Sequence, residues 1–195
     1  NNNSFNKKNI GSYKNKDLVG GKNASLGELI NLSQLLNFKI ANGFAITTQF
    51  YKSFLEYNNI TDKIETCLIN TDTADIKQLD ETSKYIKHLF KDASYSSDHK
   101  NIITKFYNEL CKIYNTENLS VAVRSSAITE DMPNASFAGQ HDTFLNISGI
   151  DNILMYIKDC FASLFNGCAI SYRKTYDISI DQVLISVGIQ KMIRS

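Results

Sequence analysis

Short apolar runs between polar turns predict the strands of this chain. Val121 to Val123 are three consecutive apolar residues that end at Arg124, which is typical of a short buried strand. A second strand is predicted from Thr143 to Ile147, and a short one from Phe44 to Ile46. Val183 to Gln190 is rich in Val and Ile, as buried strands are. Most predicted strands therefore lie in the second half of the chain.

Helical periodicity dominates the first half. Apolar residues recur at helical spacing from Lys22 to Leu36, which predicts one helix with a buried stripe. From Asn59 to Asn115 the same spacing predicts two or three amphipathic helices. Between these regions lies another helix, which Thr47 or Thr48 can cap. Its aromatic residues are spaced for packing in the core: Phe50, Phe54 and Tyr57.

The longest predicted helix runs from Asp151 to about Tyr176, with Asn166-Gly167 as a candidate kink or break. Near its end, Arg173 and Lys174 are expected to be exposed polar residues, because cations interact favourably with the C-terminus of a helix. The order is thus a helix-rich first half followed by strand, loop, strand, helix and strand. This order predicts an α+β fold without internal repeats.

Composition narrows the function classes. The chain has 195 residues, of which 43% are hydrophobic and 21% charged, as in ordinary globular domains. A formal net charge of +1 gives no basic field for nucleic acid. No apolar run reaches the ~20 residues that span a bilayer, so we expect no membrane partner and a cytoplasmic location. Residues 1–16 are rich in Asn and Lys and are expected to form a flexible lead-in, with one short strand near Ile10.

The cysteines and histidines predict no structural zinc site. The cysteines form no CxxC pair and have no clustered histidines, so we expect four small buried or half-buried residues: Cys67, Cys111, Cys160 and Cys168. Cys160 and Cys168 would lie about 12 Å apart along one helix, too far for a disulfide. His88 and His99 lie among charged residues and are expected to be solvated.

The stretch from Val121 to Asn146 organises the chemistry. Arg124 ends the first strand, Ser125 and Ser126 follow it, and a flexible segment containing Gly139 precedes the second strand. A guanidinium binds phosphate oxygens in a planar fork, and glycine lets backbone amides approach an anion. The stretch is therefore a candidate phosphate site. Two structural alternatives stay open.

One alternative is an ion pair between Arg124 and the carboxylate of Glu130 or Asp131. The other is that Ser125 and Ser126 cap a helix. A second candidate for phosphate contact is Lys22, which follows Gly20 and Gly21 at the start of a helical pattern. The spacing is not that of a Walker P-loop, and a surface lysine after a loop would look the same.

Six segments resemble the N-terminal nucleotide-binding domain of the phosphoenolpyruvate synthase family, also called pyruvate, water dikinases. In order they are GGKNASLGELI at 20–30, GFAITT at 43–48, VAVRSSAITEDMPNASFAGQHDTFLNI at 121–147, CFASLF at 160–165, AISYR at 169–173 and VGIQKMIRS at 187–195. Pyruvate, phosphate dikinase is less similar, because its loop after the Arg-Ser pair is shorter and richer in Met and Gly. The resemblance covers nearly all of the chain after the first dozen residues.

The resemblance implies an ATP-grasp site, which holds ATP between two lobes. It implies that Lys22 and Arg124 contact the ATP phosphates. Gly139 and Thr143 match the loop and the strand that close over those phosphates. Adenine is assigned to Gln190 and the backbone of Lys191 to Ile193, which includes Met192. No residue of this chain is expected to be catalytic or to bind a metal, and His141 does not match the phosphorylated histidine.

The resemblance also implies the reaction. ATP, with Mg²⁺ bridging its phosphate oxygens, phosphorylates a histidine on a separate domain of the same chain, and that domain passes the phosphoryl group to pyruvate. The products are AMP, phosphoenolpyruvate and phosphate. Residues 17–195 would be the N-terminal part of the ATP-binding domain, and the remaining lobe, the phosphohistidine domain and the pyruvate domain would follow.

Two other functions stay open. Rifampicin phosphotransferases, which are relatives, share the AGQHDT segment, so the acceptor is not decided. The other hypothesis is a non-catalytic module that binds a nucleotide or a protein partner. Two departures from the family pattern are expected to change packing or local stability only: Asn42 stands in place of a usual proline, and Cys168 in place of a usual arginine.

Overall fold

A four-stranded antiparallel sheet positions the candidate site. The computed structural model describes residues 13–36, 40–127 and 142–193. The strands are β1 (Gly43–Ile46), β2 (Val121–Ala127), β3 (Thr143–Ile147) and β4 (Ile185–Lys191). They lie in the order β1-β4-β2-β3, so that β2 and β4 are central. The predicted strands at 44–46, 143–147 and 183–190 are confirmed within one or two residues, whereas the strand predicted to end at Arg124 continues to Ala127. The strand predicted near Ile10 lies outside the described residues.

Seven α-helices surround the sheet in the described part of the chain, and the predicted α+β class is confirmed. They are α1 (Lys16–Leu36), α2 (Thr48–Asn58), α3 (Thr61–Asn70), α4 (Ile76–Asp92), α5 (Ser97–Ile113), α6 (Ile150–Ala162) and α7 (Gly167–Thr175). Short 3₁₀ turns occur at Tyr13–Asn15, Ser163–Phe165 and Ile180–Gln182. Three helices therefore fill the region predicted to hold two or three.

The two faces of the sheet differ because side chains alternate along each strand. One face packs on the helical core through fully buried residues of the central strands: Val121, Val123, Ile185, Val187 and Ile189. Ser125 and Ser126 lie within β2 and pair with Val187 and Ser186. The alternative that this serine pair caps a helix is therefore wrong.

Aromatic side chains dominate the helical core. Phe54 is fully buried and its ring centroid lies 5.5 Å from that of Phe161 and 6.5 Å from that of Phe90. Phe50 is buried too, so these two predicted core aromatics are confirmed. Tyr57 is 55% exposed, because the helical stripe that faces the core ends before it. Thr47 is the cap of α2, and its Oγ1 accepts a hydrogen bond from the Phe50 amide.

The predicted helix from Asp151 to Tyr176 is broken. After α6 and a 3₁₀ turn, Asn166 adopts extended dihedrals, and its Oδ1 accepts a hydrogen bond from the Ala169 amide at 2.8 Å. An asparagine that caps a new helix in this way ends the preceding one. Cys160 and Cys168 therefore lie on different helices. Cys160 is buried and Cys168 is exposed, which corrects the expectation that all four cysteines are at least half buried.

Arg173 is buried, contrary to the prediction that it is exposed at the end of the helix. Only 8% of the residue is exposed, its guanidinium lies 4.7 Å from the Phe165 ring centroid, and NH2 donates to the Leu164 carbonyl oxygen. Burial lowers the pKa of Arg173 to about 10, and the nearby Tyr51 hydroxyl opposes this shift. The guanidinium thus serves to join α7 to the turn that precedes it.

His99 is buried as well, contrary to the prediction that it is solvated. It is 6% exposed and packs against Phe50, with ring centroids 4.6 Å apart. The Ser96 amide donates to Nδ1, so the other ring nitrogen, Nε2, carries the proton and donates to Ser53 Oγ at 3.1 Å. Burial lowers the pKa of His99. His88 is exposed, as predicted.

Taken singly, none of the helices in the described residues combines the length and apolar character needed to cross a bilayer. One bent pair, Ile150–Phe165 with Gly167–Thr175, reaches both criteria together across a 44° bend.

Candidate functional site

The face of the sheet opposite the helical core holds the predicted site residues. On β2, Arg124 alternates with the buried Val123, and on β4, Gln190 alternates with the buried Ile189. Arg124 pairs with Gly188 in the β2–β4 register, and Ala122 pairs with Gln190. Arg124 and Gln190 are therefore diagonal neighbours on one face, within reach of one bound molecule.

Helix α1 crosses this face through a glycine contact. Gly20 has φ 73° and interrupts the helix, a conformation that L side chains rarely adopt. A Cβ atom there would lie 2.3 Å from Ser126 Oγ and 2.6 Å from the Ser126 carbonyl oxygen. Gly20 therefore permits close contact with β2 and restarts the helix just before Lys22. The predicted helix from Lys22 thus begins earlier, at Lys16, and has a break inside it.

Asn23 anchors this helix to β4. Its Nδ2 donates to the Val19 carbonyl oxygen at 2.9 Å and to Ser186 Oγ at 3.1 Å. Its Oδ1 occupies the space that a side chain on Gly188 would need, at 2.4 Å from a built Cβ. Lys22, the preceding residue on this helix, is exposed. Sequence reasoning gave Asn23 no role, although a small amide after Gly-Gly-Lys was a usable signal.

Arg124 lies at the centre of the face. It is half-buried, with Gly188 beside it on β4 and Thr143 beside it on β3. Within 13–36, 40–127 and 142–193, no hydrogen bond or ion pair joins its guanidinium to another residue. Glu130 and Asp131, its alternative structural partners, lie outside the described residues. A half-buried cation with this freedom is suited to an anionic ligand.

The β3 side of the site is described in part. Thr143 is exposed and directly opposite Arg124, which is consistent with its predicted place near the phosphates. Further along, Asn146 has φ 58° and the register shifts, so β3 has a bulge between Phe144 and Ile147. Gly139, the other residue predicted to close over the phosphates, lies outside the described residues, as does His141.

Gln190 and Met192 lie at the end of β4. Gln190 Nε2 donates to the Ala41 carbonyl oxygen at 3.1 Å, and its side chain is half-buried. The Met192 amide donates to the Ser120 carbonyl oxygen at 3.0 Å. Since a strand rises ~3.3 Å per residue, Gln190 is about 7 Å beyond Gly188. The predicted adenine contacts on β4 thus lie beyond Gly188, the residue that pairs with Arg124.

Comparisons with known proteins identify the family of this chain. The family described as pyruvate phosphate dikinase, AMP/ATP-binding domain, matches residues 16–195. Phosphoenolpyruvate synthase from Aquifex aeolicus is 45% identical over 178 residues, which cover 91% of this chain and 21% of that protein. The enzymes of the same name from Helicobacter pylori and Escherichia coli are 44% and 43% identical, over 93% and 92% of this chain and 22% of each relative.

The chain therefore spans about a fifth of the length of these relatives. The resemblance to phosphoenolpyruvate synthases that the sequence motifs predicted is confirmed. The match covers nearly the whole chain, and it includes both α1 with Lys22 and the strands with Arg124 and Gln190. On this evidence the chain belongs to the pyruvate phosphate dikinase AMP/ATP-binding domain family.

Proposed function

We propose that this chain is the first lobe of an ATP-grasp domain in a pyruvate, water dikinase. Its sheet face would bind ATP, and the intact protein would form AMP, phosphoenolpyruvate and phosphate from ATP, pyruvate and water. Residues 17–195 would form this lobe, and a second lobe, a phosphohistidine domain and a pyruvate domain would belong to the same protein. A cytoplasmic location stays a prediction.

The observation that most supports this proposal is the position of Arg124. Its guanidinium is half-buried, without a polar partner in the described ranges, and flanked by Gly188 and Thr143. A cation held this way can offer its full set of donors to phosphate oxygens. Gly188 has no side chain, which leaves room for Asn23 to pack against β4 and hold α1 over this face.

Each proposed ligand would act through a simple contact. Lys22 and Arg124 would neutralise phosphate charge, and Thr143 would offer a hydroxyl from the opposite strand. Gln190, with the backbone up to Ile193, would face the adenine ring. Gly139, which is not among the described residues, would close over the phosphates. None of these residues would transfer a proton or a phosphoryl group, so the lobe would bind and orient ATP only.

A bound Mg²⁺ is implied by the resemblance, because divalent ions neutralise phosphate oxygens in such reactions. The described residues contain no group of three or more His, Cys, Asp or Glu side chains that could hold a metal. The described residues therefore do not by themselves fit a metal site.

The direct test uses the intact protein with ATP and Mg²⁺. Pyruvate-dependent AMP formation, with an equal amount of phosphoenolpyruvate, is the expected result. AMP formation that requires rifampicin instead of pyruvate would assign the chain to the antibiotic-modifying relatives. ATP binding without either activity would support a non-catalytic nucleotide-binding module, and both outcomes would overturn the proposed reaction.

A further inference from the structure

The end of β4 is held by the segment that precedes β1. Gln190 Nε2 donates to the Ala41 carbonyl oxygen at 3.1 Å, and the Lys191 amide donates to the Asn42 carbonyl oxygen at 3.0 Å. Gly43 continues the contact, since a Cβ there would lie 2.3 Å from the Ile189 carbonyl oxygen. The orientation of the Gln190 side chain thus depends on where Ala41 and Asn42 lie.

Tyr114 contacts both Asn42 and Lys191, the two residues that this backbone hydrogen bond joins. Its hydroxyl accepts a hydrogen bond from the Asn42 amide at 3.1 Å. Its ring lies under the Lys191 ammonium, with Nζ 4.3 Å from the ring centroid. A cation at this distance from an aromatic face is attracted to it. Tyr114 is half-buried and follows α5, so it connects the helical layer to the edge of the sheet.

We propose that Tyr114 is a positioning residue for the adenine end of the ATP site, a role that rests on the proposed function. It acts through Asn42, whose position sets the Ala41 carbonyl oxygen that orients the Gln190 amide. Binding groups must be held within about 0.5 Å of their working geometry, and the Tyr114 hydroxyl supplies part of that support.

The ring of Tyr114 has a second effect. Successive side chains of a strand point to opposite faces, so Lys191 points away from the face that holds Gln190. The ring fixes the ammonium on that other side, where it adds no charge to the adenine face. Tyr114 therefore shapes the recognition of the base and leaves the phosphate contacts of Lys22 and Arg124 unchanged.

The test compares ATP with inorganic tripolyphosphate, which has the phosphate chain but no adenine. Both are titrated into the intact protein and into Tyr114→Phe, which keeps the ring and removes the hydroxyl. ATP affinity is expected to fall about threefold to tenfold, the worth of one neutral hydrogen bond. Tripolyphosphate affinity is expected to stay the same.

Asn42 provides a matched pair of variants. Asn42→Ala keeps the amide N–H and is expected to bind ATP as the unchanged protein does, whereas Asn42→Pro removes the N–H and should match Tyr114→Phe. In the Tyr114→Phe background, Asn42→Pro should have little further effect. A full additional loss in that background would mean that proline acts by strain, and it would overturn the inference.

The inference and the proposed function fail in different ways. If Gln190→Ala weakens ATP binding and Tyr114→Phe does not, Tyr114 has no positioning role and the ATP site stands. If Tyr114→Phe weakens ATP and tripolyphosphate equally, its effect is general and the inference is overturned. If neither Gln190→Ala nor Arg124→Gln changes ATP affinity, the proposed site itself is wrong.

Discussion

The two faces of the sheet are stabilised in different ways. The face that meets the helical core is covered by Val, Ile and Phe side chains that are almost fully buried. On the opposite face, α1 packs directly against the strands: Gly20 lies against Ser126, and Asn23 lies against Gly188. Asn23 also donates hydrogen bonds to Val19 and Ser186. The first face therefore accounts for most of the stability, whereas the second, which contains Arg124, has the freedom to bind a ligand.

The largest expected effect lies in the core. Phe54→Ala removes a fully buried ring that packs against Phe90 and Phe161, and such changes cost about 3–5 kcal/mol. Urea denaturation should show this loss. Tyr57→Ala, on the exposed turn of the same helix, is the control and should cost much less. Equal losses would contradict the conclusion that the buried aromatic core supplies most of the stability.

Gly20→Ala should have the next largest effect, and it should act on the site. The new Cβ would meet Ser126 at 2.3–2.6 Å in a backbone conformation that suits glycine. We expect a loss of about 1–3 kcal/mol in stability together with weaker ATP binding. Gly167→Ala is the control, because its nearest neighbour would be 3.7 Å away. If Gly20→Ala left the ATP affinity unchanged, the packing of α1 on β2 would not contribute to the ATP site.

His99 predicts a smaller, pH-dependent effect in the core. Because its pKa in the folded state is lowered from the ordinary 6.5, the unfolded chain binds more protons as the pH falls below that value. The resulting stability is present above about pH 6.5 and is lost progressively toward the lowered pKa. Thermal unfolding at about pH 7.5 and 5.5 should show a smaller difference in His99→Gln than in the unchanged protein.

His88 serves as the control for that experiment, since it is exposed on α4. His88→Gln should keep the pH dependence of the unchanged protein. If His99→Gln kept it too, the buried imidazole would not be its source. Asp98 is the charged neighbour that opposes the shift of His99, so Asp98→Asn should strengthen the dependence slightly.

Two cysteines, one exposed and one buried, provide a further contrast. Cys168→Ala should leave stability nearly unchanged because the residue is exposed, while Cys160→Ser places a hydroxyl in a fully buried position and should be destabilising. Burial also raises the pKa of the Cys160 thiol. A thiol reagent should therefore modify Cys168 in the folded protein and not Cys160, and mass spectrometry of the labelled peptides would check this.

The same contrast explains what the sequence could predict. Apolar runs identified β2 and β4, and helical spacing identified Phe50 and Phe54, because burial of one face leaves a periodic signal. Arg124 was predicted to be the polar end of a strand, but it lies in the middle of β2, because Ser125 and Ser126 continue the pairing with β4. The pairing of Gln190 with Ala41 joins positions 149 residues apart, and no local pattern encodes it.

The errors have physical causes as well. His99 lies among polar neighbours in the sequence, but its two ring nitrogens are satisfied by Ser96 and Ser53, so it can be buried. Arg173 is buried because a carbonyl oxygen and an aromatic face receive its guanidinium. Asn42 was expected to change packing or local stability, and its amide makes a hydrogen bond to Tyr114 that a proline could not make.

The most direct test of the central claim is calorimetric titration of ATP into the intact protein and into Arg124→Gln. Loss of one charge-assisted contact, worth about 1.5–3 kcal/mol, should weaken ATP binding about tenfold to a hundredfold. The unfolding midpoint should stay the same, and Lys77→Gln, on the exposed surface of α4, should bind ATP normally. Unchanged ATP affinity in Arg124→Gln would contradict the account, because the sheet face would then not be the phosphate site.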